Sequence, residues 1–367
     1  MQFSMLEKYI NKTRRKPPYF VRDDIKKFHQ QLTLVDLHAD SLLWKRDLLL
    51  HNSYGHLDFH RLVVGNVAIQ IFGVVTKFPV GINLKNISLN VDLITLLSLI
   101  HNWPSHTRKD LFQRANYQAQ KLVNLVDRSD GKIMLIRSVK ELDRFLALRE
   151  NQPDMIGALL ALEGGHALNG QLSDVKKLYD SAFRIFGITH FFDNEIGGSA
   201  HGKNKDGLST FGVDVVKNLQ KMDVAIDLSH ASERVIDEVL EMTQKPVIVS
   251  HTGVQGICDN PRNLTDEHII KIAKTGGIIG IAMFKKAICG NDIESVVRSI
   301  RYVSDLTDVD CVGLGSDFDG AITAPVDASG LCLLTEALLA QGFNKNQVAK
   351  IMGNNALRVL RSSLPED

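Results

Sequence analysis

The chain has 367 residues, with Lys+Arg 43 against Asp+Glu 42, a balance that gives no field for gathering nucleic acid or an anionic membrane surface. At 44% hydrophobic and 23% charged, the composition excludes a disordered or fibrous chain and leaves ample material for a large core. No apolar run is long enough to span a bilayer, the first twenty residues lack the apolar centre of a signal peptide, and the scattered Cys258, Cys289, Cys311 and Cys332 form no C-x-x-C pair, so reduced thiols and a cytoplasmic location are expected.

Residues 1–31 are polar and basic and are expected to form a helix or two packed outside the main body. Leu32 opens an apolar run that closes in Asp36-Leu37-His38-Ala39-Asp40, a buried strand by its length and residue types. Alternate strand side chains share a face, so His38 and Asp40 point the same way. His51, His56 and His60 follow in a stretch rich in Asn, Ser, Tyr and Gly, read as a solvated loop with no strand to hold the rings. The second strand is Val67–Gly73. Residues 89–126 are apolar at helical spacing with a break at Trp103-Pro104. The short apolar run from Lys132 to Arg137 has no place in the strand count. Sequons at Asn11, Asn86 and Asn263 carry no weight without secretion.

The third strand, Met155–Leu162, ends in Glu163-Gly164-Gly165-His166, and the fourth, Phe183–Thr189, ends in His190. The Gly-rich stretch 197–203 matches no phosphate loop and reads as a loop over a pocket. After an amphipathic helix, Phe211–Met222, the fifth strand Val224–Leu228 runs into Ser229-His230, and Ser232 caps the next helix. The sixth strand, Val247–Val249, runs into Ser250-His251. A helix over 265–275 stops at Gly276-Gly277. The seventh strand is Ile278–Met283, a helix covers 291–307, and the eighth strand, Cys311–Leu314, runs into Gly315-Ser316-Asp317-Phe318-Asp319-Gly320. Helices near 330–340 and 345–361 close the chain.

Eight short apolar strands alternating with helices predict an α/β fold with a parallel sheet, closed as a (β/α)8 TIM-type barrel with additional N-terminal and C-terminal helices. An open doubly wound sheet is the alternative. The expected organisation is an N-terminal extension, 1–31, packed on a single catalytic barrel, 32–361. The polar residues decide for the barrel: His38 with Asp40, Glu163, His190, His230, His251 and Asp317 end six different strands, and in a barrel those ends meet at one mouth. His38, Asp40 and Glu163 can hold one divalent ion, and Glu163, His230 and His251 a second, with Glu163 as the bridge. Nitrogen and oxygen ligands without Cys suit zinc. Two such ions about 3.5–4 Å apart activate a bridging water, which is hydrolytic chemistry. Asp317 is placed to take a proton, and His190 to stabilise a developing oxyanion.

The pieces DLHAD, LALEGGHAL, GITH, AIDLSHAS, VIVSHT, NPRNL and GLGSDFDG occur in this order over roughly residues 32–360. The ordered set resembles the renal, or membrane, dipeptidase family, a zinc branch of the amidohydrolase-like barrels. The resemblance implies two zinc ions per chain: one on His38 and Asp40, one on His230 and His251, with Glu163 shared. It implies that His190 contacts the scissile group, that Asp317 shuttles the proton, and that Arg262 grips the carboxylate of a small dipeptide substrate. A guanidinium fork suits that role. It further implies tolerance of a D residue at the second position, in some members hydrolysis of β-lactam-like amides, and a homodimer. The apolar helices around 89–100 and 330–340 are candidates for that interface or for packing on the barrel. Met283-Phe284-Lys285-Lys286 departs from the animal members of the family and leaves side-chain specificity open.

His166 reads as structural and His201 as solvated. Asp36 is expected to support the first pair, and Asp319 to cap or to partner Asp317. His29, His101, His106 and His268 read as surface. Two other functions remain at this level: a metal-dependent barrel hydrolase of cyclic amides, lactones or phosphoesters, and a non-catalytic binding barrel.

Overall fold

The computed structural model describes residues 4–80 and 91–367. Asn86 and the start of the 89–126 stretch lie outside them. Eight strands run parallel: β1 Leu34–Ala39, β2 Val67–Val75, β3 Ile156–Glu163, β4 Phe183–Gly187, β5 Ala225–Asp227, β6 Ile248–Thr252, β7 Ile278–Ile281 and β8 Val312–Leu314. Their spatial order is β2-β1-β8-β7-β6-β5-β4-β3, and β3 pairs back to β2, from Ile69 opposite Gly157 to Val75 opposite Glu163. That last pairing closes the sheet into the expected (β/α)8 barrel. The unplaced run is a ninth strand, Ile133–Leu135. It pairs with the first half of β3, whose second half pairs with β4, so it stands outside the ring of eight.

Every residue of the eight strands is buried, as parallel strands covered on both faces require. Successive residues serve two apolar cores: Leu160 and Leu162 belong to one, Leu159 and Ala161 to the other. A helix after each of β4 to β7 begins on a side-chain cap. Ser209, Ser232, Thr265 and Asp292 each accept from a backbone N–H three residues on, which fixes where each loop ends and its helix starts. No helix among the described residues is long and apolar enough to cross a membrane.

Two expectations fail. Cys258 and Cys289 are joined in a disulfide with a Cα–Cα distance of 5.2 Å, leaving Cys311 and Cys332 free. Sequence separation hid this pair: the loop after β6 and the end of the short helix Lys285–Ile288 are neighbours only in the closed barrel. His29, His101 and His268 are buried, not on the surface; of that group only His106 is exposed.

His29 ends the helix Asp23–His29, which seats Ile25 and Phe28 in the core. Its Nε2 faces the Gly65 carbonyl at 3.0 Å and its Nδ1 the Thr335 hydroxyl at 2.8 Å. A carbonyl only accepts, so Nε2 carries the proton and the neutral ring satisfies both contacts. Burial pushes the His29 pKa down to about 4. The unfolded chain therefore binds this proton first as pH falls, and the stability His29 supplies is present above pH 6.5 and lost between 6.5 and 4. The loss amounts to about 3 kcal/mol. Urea unfolding at pH 7 and pH 4.5 should show His29→Gln losing less stability on acidification than the parent; equal losses would place the proton uptake elsewhere.

Candidate metal centre

The carboxyl ends of the strands form one cavity of about 400 Å³. Asp40, Glu163, His190, His230, His251, Arg262 and Asp317 all line it. His38, fully buried, reaches it through its neighbours: its Nε2 lies 3.3 Å from Asp40 Oδ1 and 3.4 Å from Glu163 Oε2. The other oxygen of Glu163 faces three rings, with His230 Nε2 at 3.1 Å, His190 Nε2 at 3.3 Å and His251 Nε2 at 3.4 Å. His230 Nε2 and His251 Nε2 are 3.0 Å apart. Every site residue expected from the sequence is thus brought together.

Hydrogen bonds on the far side of the rings fix where their lone pairs point. His190 Nδ1 donates to the Lys77 carbonyl at 3.0 Å. Ser250 Oγ sits between Asp227 Oδ2 at 2.5 Å and His251 Nδ1 at 3.0 Å. The hydroxyl donates to the carboxylate, so it accepts from His251 Nδ1–H. His190 and His251 therefore turn unprotonated Nε2 atoms toward Glu163, the usual way a second partner sets the tautomer of a ligating imidazole. His230 Nδ1 is 3.1 Å from His201 Nε2.

The charges fit the same arrangement. Burial, then their cationic neighbours, holds His190, His230 and His251 well below the ordinary imidazole value. Burial alone would lower His38, but Glu163 and Asp40 outweigh it and hold it well above. In the protein alone, burial and then Asp40 raise Glu163 to about 7. Burial, then Asp40, raises Asp317 well above the carboxylate range.

His38 Nε2, Asp40 Oδ1 and Glu163 Oε2 are buried with no hydrogen-bond partner. Unpartnered buried polar atoms are costly; protons on His38 and Glu163 relieve the crowding in the protein alone, and a divalent cation in their place would satisfy all three. The donor set therefore fits divalent metal ions. Among the described residues, His38–Glu163–His251, Glu163–His190–His230 and His38–Asp40–Asp317 each bring one ligand atom per residue within 4.8 Å of the others.

The loop after β8 is tied to the end of β1. Asp36 accepts from Ser316 N at 2.8 Å, Ser316 Oγ at 2.6 Å and Gln70 Nε2 at 3.0 Å, while Asp317 N donates to the His38 carbonyl at 3.1 Å. Asp36 supports the first pair, as expected. Asp317 (φ 60°) and His230 (φ 64°) both adopt left-handed backbone, unusual for side chains of this kind and concentrated where function constrains them.

A model of the family described as Membrane dipeptidase (Peptidase family M19) matches residues 22–364. The chain belongs to that family. It is a metallopeptidase of the dipeptidase class, and its substrates are small dipeptides. Among relatives of the membrane dipeptidase family, a protein of Aspergillus oryzae named dipeptidase aclJ is 27% identical, covering 94% of this chain and 82% of that one. A Schizosaccharomyces pombe protein named as an uncharacterized dipeptidase is 28% identical, covering 92% and 83%. Of solved structures, the probable dipeptidase PvdM of Pseudomonas aeruginosa superposes with a TM-score of 0.77 at 16% identity, over 93% of this chain and 97% of that one. A Rhodobacter sphaeroides metallo peptidase, liganded with a phosphinate mimic of the dipeptide L-Ala-D-Ala, gives 0.74 at 21% identity, over 90% and 99%.

Three readings of single residues change. His201 is fully buried against His230, not solvated. Asp319 partners Arg46, Ser41 and the backbone N–H of His56, not Asp317. His56 is fully buried, with its Nδ1 accepting from Asp319 N at 3.0 Å, although His51 and His60 are exposed as expected. Gly73 was missed. A Cβ there would sit 2.6 Å from Asp40 Oδ1 and 2.7 Å from His38 Cε1. A glycine inside a buried strand is the available signal for such close approach. Gly73→Ala should fold normally yet bind metal about 10–100-fold more weakly, the range for disturbing the support of a ligand. Metal titration followed spectroscopically checks this, and unchanged affinity would show that the two side chains can move aside.

Proposed function

We propose that this chain is a binuclear zinc dipeptidase that cleaves dipeptides with a free C-terminal carboxylate, including those with a D residue second. The observation that carries this reading is the convergence of four imidazole Nε2 atoms on the two oxygens of Glu163 at 3.1–3.4 Å. His38 and Asp40 would hold one ion, His230 and His251 the other, and Glu163 both. When bound, such ions supply a nucleophilic hydroxide at neutral pH and polarise the scissile carbonyl.

The remaining steps belong to the chain's own side chains. Arg262 is buried, donates to the His251 carbonyl, and stays cationic at neutral pH, since burial lowers it only to about 10. Its guanidinium would pair with the substrate carboxylate and set the scissile bond over Glu163. Asp317 would take the proton of the attacking water and hand it to the leaving amine. His190, with its Nδ1 held by Lys77, would orient toward the scissile carbonyl. Phe191 packs on His190 and His201 with ring centroids 4.6 Å away and would keep bulk water off the reacting atoms.

The His38–Asp40–Asp317 grouping favours a second reading in which Asp317 is itself a ligand. Asp317→Asn separates the two. As a shuttle variant it should keep close to two zinc per chain and lose about 10²–10⁴ in kcat; loss of one ion would make Asp317 a ligand instead. The function as a whole is tested with a stereochemically complete dipeptide panel (L-L, L-D, D-L, D-D), assayed with zinc and after chelation. Hydrolysis that vanishes on chelation and returns with zinc is expected, and an enzyme that cuts none of the panel in zinc would overturn the reading. Arg262→Ala should weaken kcat/KM for free-carboxylate substrates by about 2–5 kcal/mol, while a lactone or phosphoester hydrolase would scarcely change.

A further inference from the structure

A second cavity, of about 120 Å³, opens beside the reaction chamber. Asp40, Phe78, Gly320 and Ala321 line both. Beyond Asp40 its walls are apolar, with Ile10, Leu43, Trp44, Val75, Ile94 and Leu97 among them. The indole N–H of Trp44 is already committed to the Asp319 carbonyl at 2.7 Å, so the ring offers carbon to the cavity.

One side of the cavity is held firmly. Arg46 is buried between Glu7 and Asp319. Asp319 also accepts from Ser41 Oγ at 2.5 Å and from His56 N at 2.7 Å. Strand Lys12–Thr13 pairs with Thr323–Ala324. The segment carrying Ile10 and the turn carrying Gly320 and Ala321 are thereby held against each other. Ile10 precedes the stretch matched by the family model, which starts at 22.

From these observations, and resting on the dipeptidase reading above, we infer that this side cavity receives the side chain of the substrate's N-terminal residue and selects branched aliphatic or phenyl groups. Arg262 follows β6 and Asp40 follows β1, with β7 and β8 between them in the ring. A dipeptide with its carboxylate on Arg262 and its amide over Glu163 therefore extends its N-terminal residue toward Asp40 and this opening. Benzene is held in an apolar cavity of about 150 Å³; at about 120 Å³ and open to the chamber along Asp40, Phe78, Gly320 and Ala321, this one takes a leucine side chain whole and a phenyl ring with its Cβ end left in the shared mouth. A lysine or aspartate side chain would bury its charge there against apolar walls, the one carboxylate in the lining, Asp40, being given to the metal centre in this reading.

The test is a series X-Ala, with X as Gly, Ala, Leu, Phe, Lys or Asp, in the configuration the wild type cuts. The zinc-loaded wild type should show kcat/KM for Leu and Phe about 10-fold or more above Gly, Lys and Asp, the scale set by a few methylenes in an apolar pocket. Leu97→Trp, which fills the cavity, should cost the Leu and Phe substrates about 10-fold and leave Gly-Ala within about threefold. Retained Gly-Ala turnover also reports an intact fold. Leu97→Ala, which enlarges the cavity, should shift preference from Leu toward Phe. Hydrolysis without discrimination among the X residues, or Leu97 variants that scale every substrate alike, would overturn the pocket and leave the dipeptidase reading standing. Failure to cut any dipeptide would remove both.

Discussion

The structure depends on one electrostatic constraint: buried imidazole nitrogens and carboxylate oxygens crowded across 3.0–3.4 Å, with His38 holding a proton against Asp40 and Glu163 in the protein alone. Such a cluster does not assemble for its own stability. Each group loses hydration, and its neighbours are acceptors. A divalent cation in place of protons there would turn the crowding into ligation. Folding energy from the barrel must hold the set together until then, and the two apolar cores supply it.

How the barrel holds them is visible behind the ligands. Asp36 and Asp227 are buried carboxylates that accept from backbone N–H groups and serine hydroxyls of adjacent strand ends. Asp36 joins β1 to the loop after β8, and Asp227 joins β5 to β6. Each therefore sets the spacing of two ligand-bearing strands. Burial pushes Asp36 up while the serine and glutamine donors pull it down. The serine of Ser250-His251 then passes orientation from Asp227 to the ring itself. Aspartate and serine side chains bonded together beneath the rings of His38 and His251 are the physical reason the strand ends read D-L-H, D-L-S-H and V-S-H.

That pattern explains what was legible in the chain. Strand positions and the residues ending them depend on local rules, since burial on both faces demands continuous apolar runs and chemistry demands polar ends. All eight strands, and the eight residues that the strand ends bring together, came from those two signals and the family resemblance. The contacts that escaped are those between loops distant in sequence. His201 looked solvated because nothing local shows that its loop folds back on His230. Cys258 and Cys289 looked unrelated because 31 residues separate them. His29 looked exposed because its partners, Gly65 and Thr335, belong to other elements. Gly73 carries no side chain to announce its role, which is to leave room.

The loop after β8 shows how far neighbouring residues can be driven apart. Asp317 and Asp319 are two positions apart, both buried and both left-handed. Burial raises the first, with Asp40 and Glu163 adding to it. The second is held well below the carboxylate range against the same burial, because Arg46 and His56 stand beside it. One carboxylate is thus kept able to carry a proton, while the other is locked as an ion into the framework. Since Arg46 also holds Glu7, the anchor that immobilises Asp319 reaches the segment ahead of the barrel. The backbone between the two aspartates is short, so whatever fixes Asp319 fixes Asp317 as well. Residues 4–15 are in this sense part of the site beyond the wall that Ile10 gives the side cavity: their ion pair and their short strand determine how much freedom the loop carrying Asp317 retains.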